Sequence, residues 1–145
     1  MSLFSSIDVS ASGMSAQRER AEVLVENIAN AETTRTAQGG PYRRRDVVFE
    51  STPVGSQFSS ELGAQLGQQS VGVKVSQLVV DSSEPSRRYM PGHPDADKGG
   101  YVLFPHMNPA QDMVDLLGAS RSYQANVSAI SAVKDMIQRS IDLFR

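Results

Sequence analysis

Leu116, Tyr123, Ile130, Ile137 and Phe144 stand seven residues apart along the C-terminal quarter of this chain. Near the other end, Ile7, Met14, Ala21 and Ile28 do the same. Met113, Val127 and Ile141 interleave with the first series, and Ala11 and Leu24 with the second. An apolar residue every seventh position, with others three or four residues away, marks one face of an amphipathic helix close to a coiled-coil heptad. Two such stripes at opposite ends predict two long helices that pair along them. Asn108-Pro109 reads as an N-cap followed by proline at the first helical position, with Asp112 and Asp115 in the first two turns. A helix from Pro109 to Leu143 would be about 50 Å long. At the other end, Ser5 and Asp8 form a potential capping box. Helix is expected to fail between Thr33 and Gly40.

The middle of the chain follows a different rule. Val71-Gly72-Val73-Lys74-Val75 alternates with period two and continues into Leu78-Val79-Val80, the strongest strand pattern present. Tyr42 to Phe49 and Tyr101 to Phe104 read as further strands. Ser51 to Ser70 is rich in Ser, Gln and Gly and reads as a flexible segment; Ser82 to Gly100, with Pro85, Pro91 and Pro94, reads as irregular. The expected fold class is α+β: two terminal helices packed as an antiparallel coiled-coil-like pair, with a small β-rich insertion between them. The expected division is a discontinuous helical unit, 1–35 plus 108–145, and an insertion, 36–107, flexible near 51–70.

Composition narrows the function. The formal net charge of -2 argues against a whole-chain nucleic-acid binder. Cysteine is absent, which excludes disulfides and thiolate metal sites. The first residues show neither a basic n-region nor an apolar h-region, so no secretory signal peptide is expected. No apolar run approaches the roughly 18 residues a membrane span requires. His93, Asp95 and Asp97 alternate in a loop and could in principle ligate a metal, but the surrounding prolines favour a rigid turn, and no metal or other cofactor is expected. No nucleophile elbow or similar context supports an enzyme. Arg43, Arg44 and Arg45 beside Tyr42, and Arg87 and Arg88 beside Tyr89, combine arginine with aromatics. Such clusters suit protein interfaces, and are taken as candidate subunit contacts. The outer helix faces carry Ser120, Ser122, Gln124, Asn126, Ser128 and Ser131, small and uncharged where a solvated helix would carry Lys and Glu.

Two segments carry a family resemblance. Ser12-Gly13-Met14-Ser15-Ala16-Gln17-Arg18, followed by Asn27-Ile28-Ala29-Asn30-Ala31-Glu32-Thr33, resembles the N-terminal signature of flagellar axial proteins. Met113 to Val127, including Arg121, Gln124 and Asn126, resembles their C-terminal signature. Gly39-Gly40-Pro41-Tyr42-Arg43-Arg44 and the stretch from Pro94 to Val102 look like the proximal-rod FlgC family. The resemblance implies a structural rod subunit that leaves the cell through the flagellar type III export apparatus without a cleaved signal peptide. It also implies helical assembly in the periplasm with copies of itself and other rod proteins, around a central channel, transmitting torque. The competing reading of the stripes alone is a soluble coiled-coil adaptor or export chaperone.

Overall fold

A computed structural model describes residues 3–54 and 70–143. The elements run α1 (Leu3–Ala29), β1 (Arg45–Pro53), β2 (Val71–Val80), β3 (Ser86–Tyr89), β4 (Tyr101–Phe104) and α2 (Pro109–Asp142). Gly13 lies near Asn126, and Arg20 pairs with Asp115. The partner number falls as the α1 number rises, so the helices are antiparallel, as the stripes predict. At 1.5 Å per residue α2 is about 50 Å long and α1 about 40 Å.

Each helix ends for a local reason. Asn108 caps α2 in an extended conformation, its side chain accepting from the Ala110 amide, and Pro109 follows in the first turn. Asn30 closes α1, its side-chain Nδ2 donating to the Glu26 carbonyl at 2.9 Å. α1 thus stops before the predicted breakers at Thr33 to Gly40. It begins at Leu3, so Ser5 and Asp8 lie inside the helix and do not form the expected capping box. After α1 the chain doubles back through Gly39 and Gly40, both in the left-handed region (φ 86° and 77°) that glycine enters without strain. The Tyr42 amide donates to the Thr33 carbonyl at 3.0 Å, which returns Tyr42 to the end of α1.

The strands form two separate antiparallel hairpins, β1–β2 and β3–β4. β2 covers the predicted segment. Ser76 is the extra residue of a bulge opposite the Val48–Phe49 step. β1 begins and ends later than the predicted Tyr42–Phe49, so Ser51 to Pro53 are strand and not flexible loop; the segment 55–69 lies outside the described residues. The Ser82–Gly100 stretch is not wholly irregular either. Ser86–Tyr89 pairs with Tyr101–Phe104, a partner that proline content could not reveal. Val102 is fully buried and Phe104 nearly so, alternating with exposed Tyr101 and Leu103.

Candidate subunit interface and the polar junction behind it

α1 holds the longer hairpin with two side chains. The Ser12 hydroxyl accepts from the Val73 amide at 3.1 Å and donates to the Val9 carbonyl at 2.7 Å. A Cβ built on Gly72 would stand 2.6 Å from that hydroxyl, so only glycine lets the strand approach this closely. At the other end Asn27, with no exposed surface, donates from Nδ2 to the Arg45 carbonyl at 2.8 Å. Its Oδ1 accepts from the Arg45 amide at 3.0 Å and from the Tyr42 hydroxyl at 3.0 Å. The carboxamide behaves like a neighbouring strand toward Arg45. Ser12 and Asn27 are about 22 Å apart along the helix. The hairpin from the Arg45–Val80 pair to the Ser51–Val73 pair covers about 20 Å. The two clamps therefore match the hairpin's length and seal outward-facing strand groups that would otherwise lack partners.

Next to Asn27 sits a buried ion pair. Asp112, 1% exposed, accepts at Oδ1 from Arg44 Nε at 3.0 Å and Nη2 at 2.9 Å. Arg44 Nη1 also donates to Asp46. Burial alone would weaken the guanidinium's hold on its proton. The hydrogen bond to Asp112 and the charges of Asp46 and Asp112 outweigh it and raise the Arg44 pKa. The Tyr42 hydroxyl is shifted upward, first by burial and then by the Glu26 charge, which Arg45 partly opposes, with Asp112 adding the smallest push. Arg45 extends Nη1 to Glu26 at 3.1 Å.

These contacts change the reading of the arginines. Arg44 is a part-buried strut joining the insertion to α2, whereas Arg45 pairs with Glu26 of α1 and keeps 41% of its side chain exposed. Arg88 lies over the Phe104 ring at 4.7 Å. Arg43 and Arg87 are exposed. His93 and Asp97 serve their own loop, His93 Nδ1 accepting from the Asp95 amide and Asp97 from the Gly99 and Tyr101 amides, while Asp95 ties that loop to the segment after α1 by accepting from the Thr34 hydroxyl. Among the described residues no three such groups gather as a metal site would require.

The helix seam also differs from the stripes. Leu24 is buried, and Ile7, Met14, Ala21, Ile28, Leu116, Ile130 and Ile137 are half-buried. Ala11, Met113, Tyr123, Val127 and Ile141 are exposed, and Phe144 falls outside the described residues. On α2 the row that faces α1 is Asp112, Ala119, Asn126 and Val133, one position before Met113 and Val127. One position is a rotation of roughly 100°. On α1, Ala16 and Val23 are buried and Val9 half-buried, again seven residues apart. The reason is steric. Gly13 lets Asn126 lie against the α1 backbone, where a Cβ would come within 3.0 Å of its Nδ2. Such close approach needs small residues in the seam, and selection by size and hydrophobicity passes them over.

The larger apolar residues instead line the flank. Met113, Val114 and Leu117 are 53%, 66% and 59% exposed. Leu116, Leu117, Ser120 and Tyr123 face Gln17, Arg18 and Ala21 across an open groove between the helices. Of the signature residues, Ser12, Gly13, Asn27, Asn30 and Asn126 act within the chain, whereas Arg121 and Gln124 are exposed on α2.

Two family models match the two ends of the chain. Residues 7–35, covering most of α1, match the flagella basal body rod protein model, and residues 99–143, from β4 through α2, match the flagellar basal body rod FlgEFG protein C-terminal model. The flagellar basal-body rod protein FlgC of Bacillus subtilis is 42% identical over 150 residues, spanning 99% of both chains. The chain belongs to the FlgC family of flagellar basal-body rod proteins. The FlgC of Borreliella burgdorferi is 40% identical, spanning 100% of this chain and 99% of its own. That of Salmonella typhimurium is 35% identical over 99% and 98%. Within this FlgC-family fold, α1 and α2 are the two matched segments, and the clamps described above lie in or against them. Among the described residues no helix is long and apolar enough to cross a membrane.

Proposed function

We propose that the chain is a structural subunit of the proximal part of the flagellar rod, which binds neighbouring subunits through its helix flanks and performs no catalysis. The observation that carries this is the flank of α2, where Met113, Val114 and Leu117 remain exposed beside the open groove between the helices. Burying each such side chain against a neighbour would contribute about 1.5–3 kcal/mol. An isolated soluble protein gains nothing from leaving them in water as a row. Membership of the FlgC family supports the rod as the place where they are covered. The neighbours are further copies of this chain and other rod proteins, and delivery is through the flagellar export apparatus. Residues 1–35 with 108–145 form the helical unit that contacts them, and 36–107 the insertion; Arg43 and Arg87, exposed on the insertion, are further contact candidates. In the assembled rod the subunit helps enclose the export channel and carries torque.

The experiment is fractionation. Basal bodies purified from the source cell should contain this chain in the rod after the outer rings and filament are stripped away. Recovery wholly in the cytoplasm as a discrete soluble dimer would instead favour an adaptor or export chaperone.

A further inference from the structure

Two sevenfold rows of α2 lie at or beside the seam, and they differ in information content. One row, Leu116, Tyr123, Ile130 and Ile137, repeats a large apolar residue every seven positions. Sliding α2 by seven residues, about 10 Å, would present nearly the same surface again. The row therefore favours pairing without choosing a register. The other row reads Asp112, Ala119, Asn126 and Val133, and no two of its members are alike. Asp112 is held by Arg44, and Asn126 fits against Gly13.

We infer that Asp112 and Asn126 specify the register of the two terminal helices and that the apolar row does not. A slide that brings Ala119 to the position of Asp112 takes the buried carboxylate from Arg44 and leaves only the more exposed Asp46 to pair with it. The same slide sets the branched Val133 against the α1 backbone at Gly13, where the flat amide of Asn126 is accommodated. The opposite slide sends Asp112 to the place of Ala119, which is 2% exposed, and buries a carboxylate about 10 Å along the helix from Arg44. Both slides are disfavoured by polar and steric mismatches confined to one row. Single buried polar residues fix the alignment of coiled coils by the same principle. This inference concerns the folded chain alone and stands independently of the assignment to the rod.

The test is cross-linking in the full chain, which has no cysteine of its own. Ala21 and Leu117 line one groove, so Ala21→Cys with Leu117→Cys reports the native register. Ala21→Cys with Gln124→Cys reports α2 displaced by seven residues. With a short bifunctional thiol reagent, the first pair is expected to link and the second to stay at background. Combining Arg44→Leu, Asp112→Leu and Asn126→Val makes the specifying row apolar and leaves no lone buried charge. In that background the displaced pair is expected to rise to a yield comparable with the native pair, with helical circular dichroism retained. If the triple variant loses helicity, Asp112→Asn with Asn126→Val is the milder substitute, and a clear gain in the displaced pair is again expected. Equal linking of both pairs in the native sequence, or native-register linking alone in a helical variant, would overturn the inference.

Discussion

The carboxamide of Asn27 pairs with both backbone polar groups of Arg45, at 2.8 and 3.0 Å, from a position with no exposed surface. A helix side chain here does the work of a missing strand, and it also accepts from the Tyr42 hydroxyl. The end of α1, the entry to β1 and the Arg44–Asp112 pair are thereby fixed as one body.

Asn27→Ala should therefore destabilise the chain by roughly 2–3 kcal/mol, because it strands buried donors and acceptors without removing them. Asn27→Asp is nearly isosteric, yet should also be costly, since its carboxylate faces the Arg45 carbonyl with no hydrogen to offer. Urea titrations of the purified variants measure both. A stability of Asn27→Asp equal to wild type would refute the pairing.

Asn27 also shows what was legible in advance. It was recognisable as part of a family signature, but its role depends on Arg45, eighteen residues away, and no periodicity encodes that pairing. The two helices and β2 were readable because their signals are local: sevenfold spacing, the Asn108-Pro109 cap, and the alternation of Val71, Val73 and Val75. β3 was not, because Arg87 and Arg88 have no apolar alternation and acquire strand geometry only through Leu103 and Val102. The arginine cluster misled for a related reason. Arg44 looks like surface charge until Asp112 arrives from a helix sixty-eight residues on. The seam was displaced by one position because Ala119 and Asn126 win their places by being small or flat, whereas Met113 and Val127 carry the stronger hydrophobic signal.

The Arg44–Asp112 pair gives a second expectation. Asp112→Ala should cost about 1.5–3 kcal/mol, since it leaves the part-buried guanidinium with only the more exposed Asp46 as a partner. Arg44→Leu combined with Asp112→Leu should cost less than the two single changes added together. A double-mutant cycle by urea denaturation reads the coupling. Strict additivity would show that the two side chains do not depend on each other.

Tyr42 sets a pH dependence. Its folded pKa is raised, by burial first and by Glu26 and Asp112 second, above the unfolded tyrosine value near 10. The folded state thus holds the phenolic proton more tightly than the unfolded state. The associated stability is fully present below the unfolded pKa and is lost as pH rises through the folded one. Denaturation midpoints followed from pH 8 upward should fall steeply in the alkaline range for wild type and less steeply for Tyr42→Phe. Parallel curves would mean that Tyr42 ionises as freely in the folded chain as in the unfolded one.

The central claim is that the exposed flank of α2 is a subunit contact, and Leu117 probes it most directly because it is 59% exposed in the folded chain. Leu117→Glu should leave the urea midpoint of the isolated protein close to wild type, since the side chain remains in water. In cells whose sole copy carries the change, basal bodies should lack the protein, and motility should be lost. The decisive measurement is the amount of Leu117→Glu protein in purified basal bodies relative to wild type at equal cellular expression. Near-complete absence is the expected result; incorporation at the wild-type level would contradict the assignment of this flank to rod assembly.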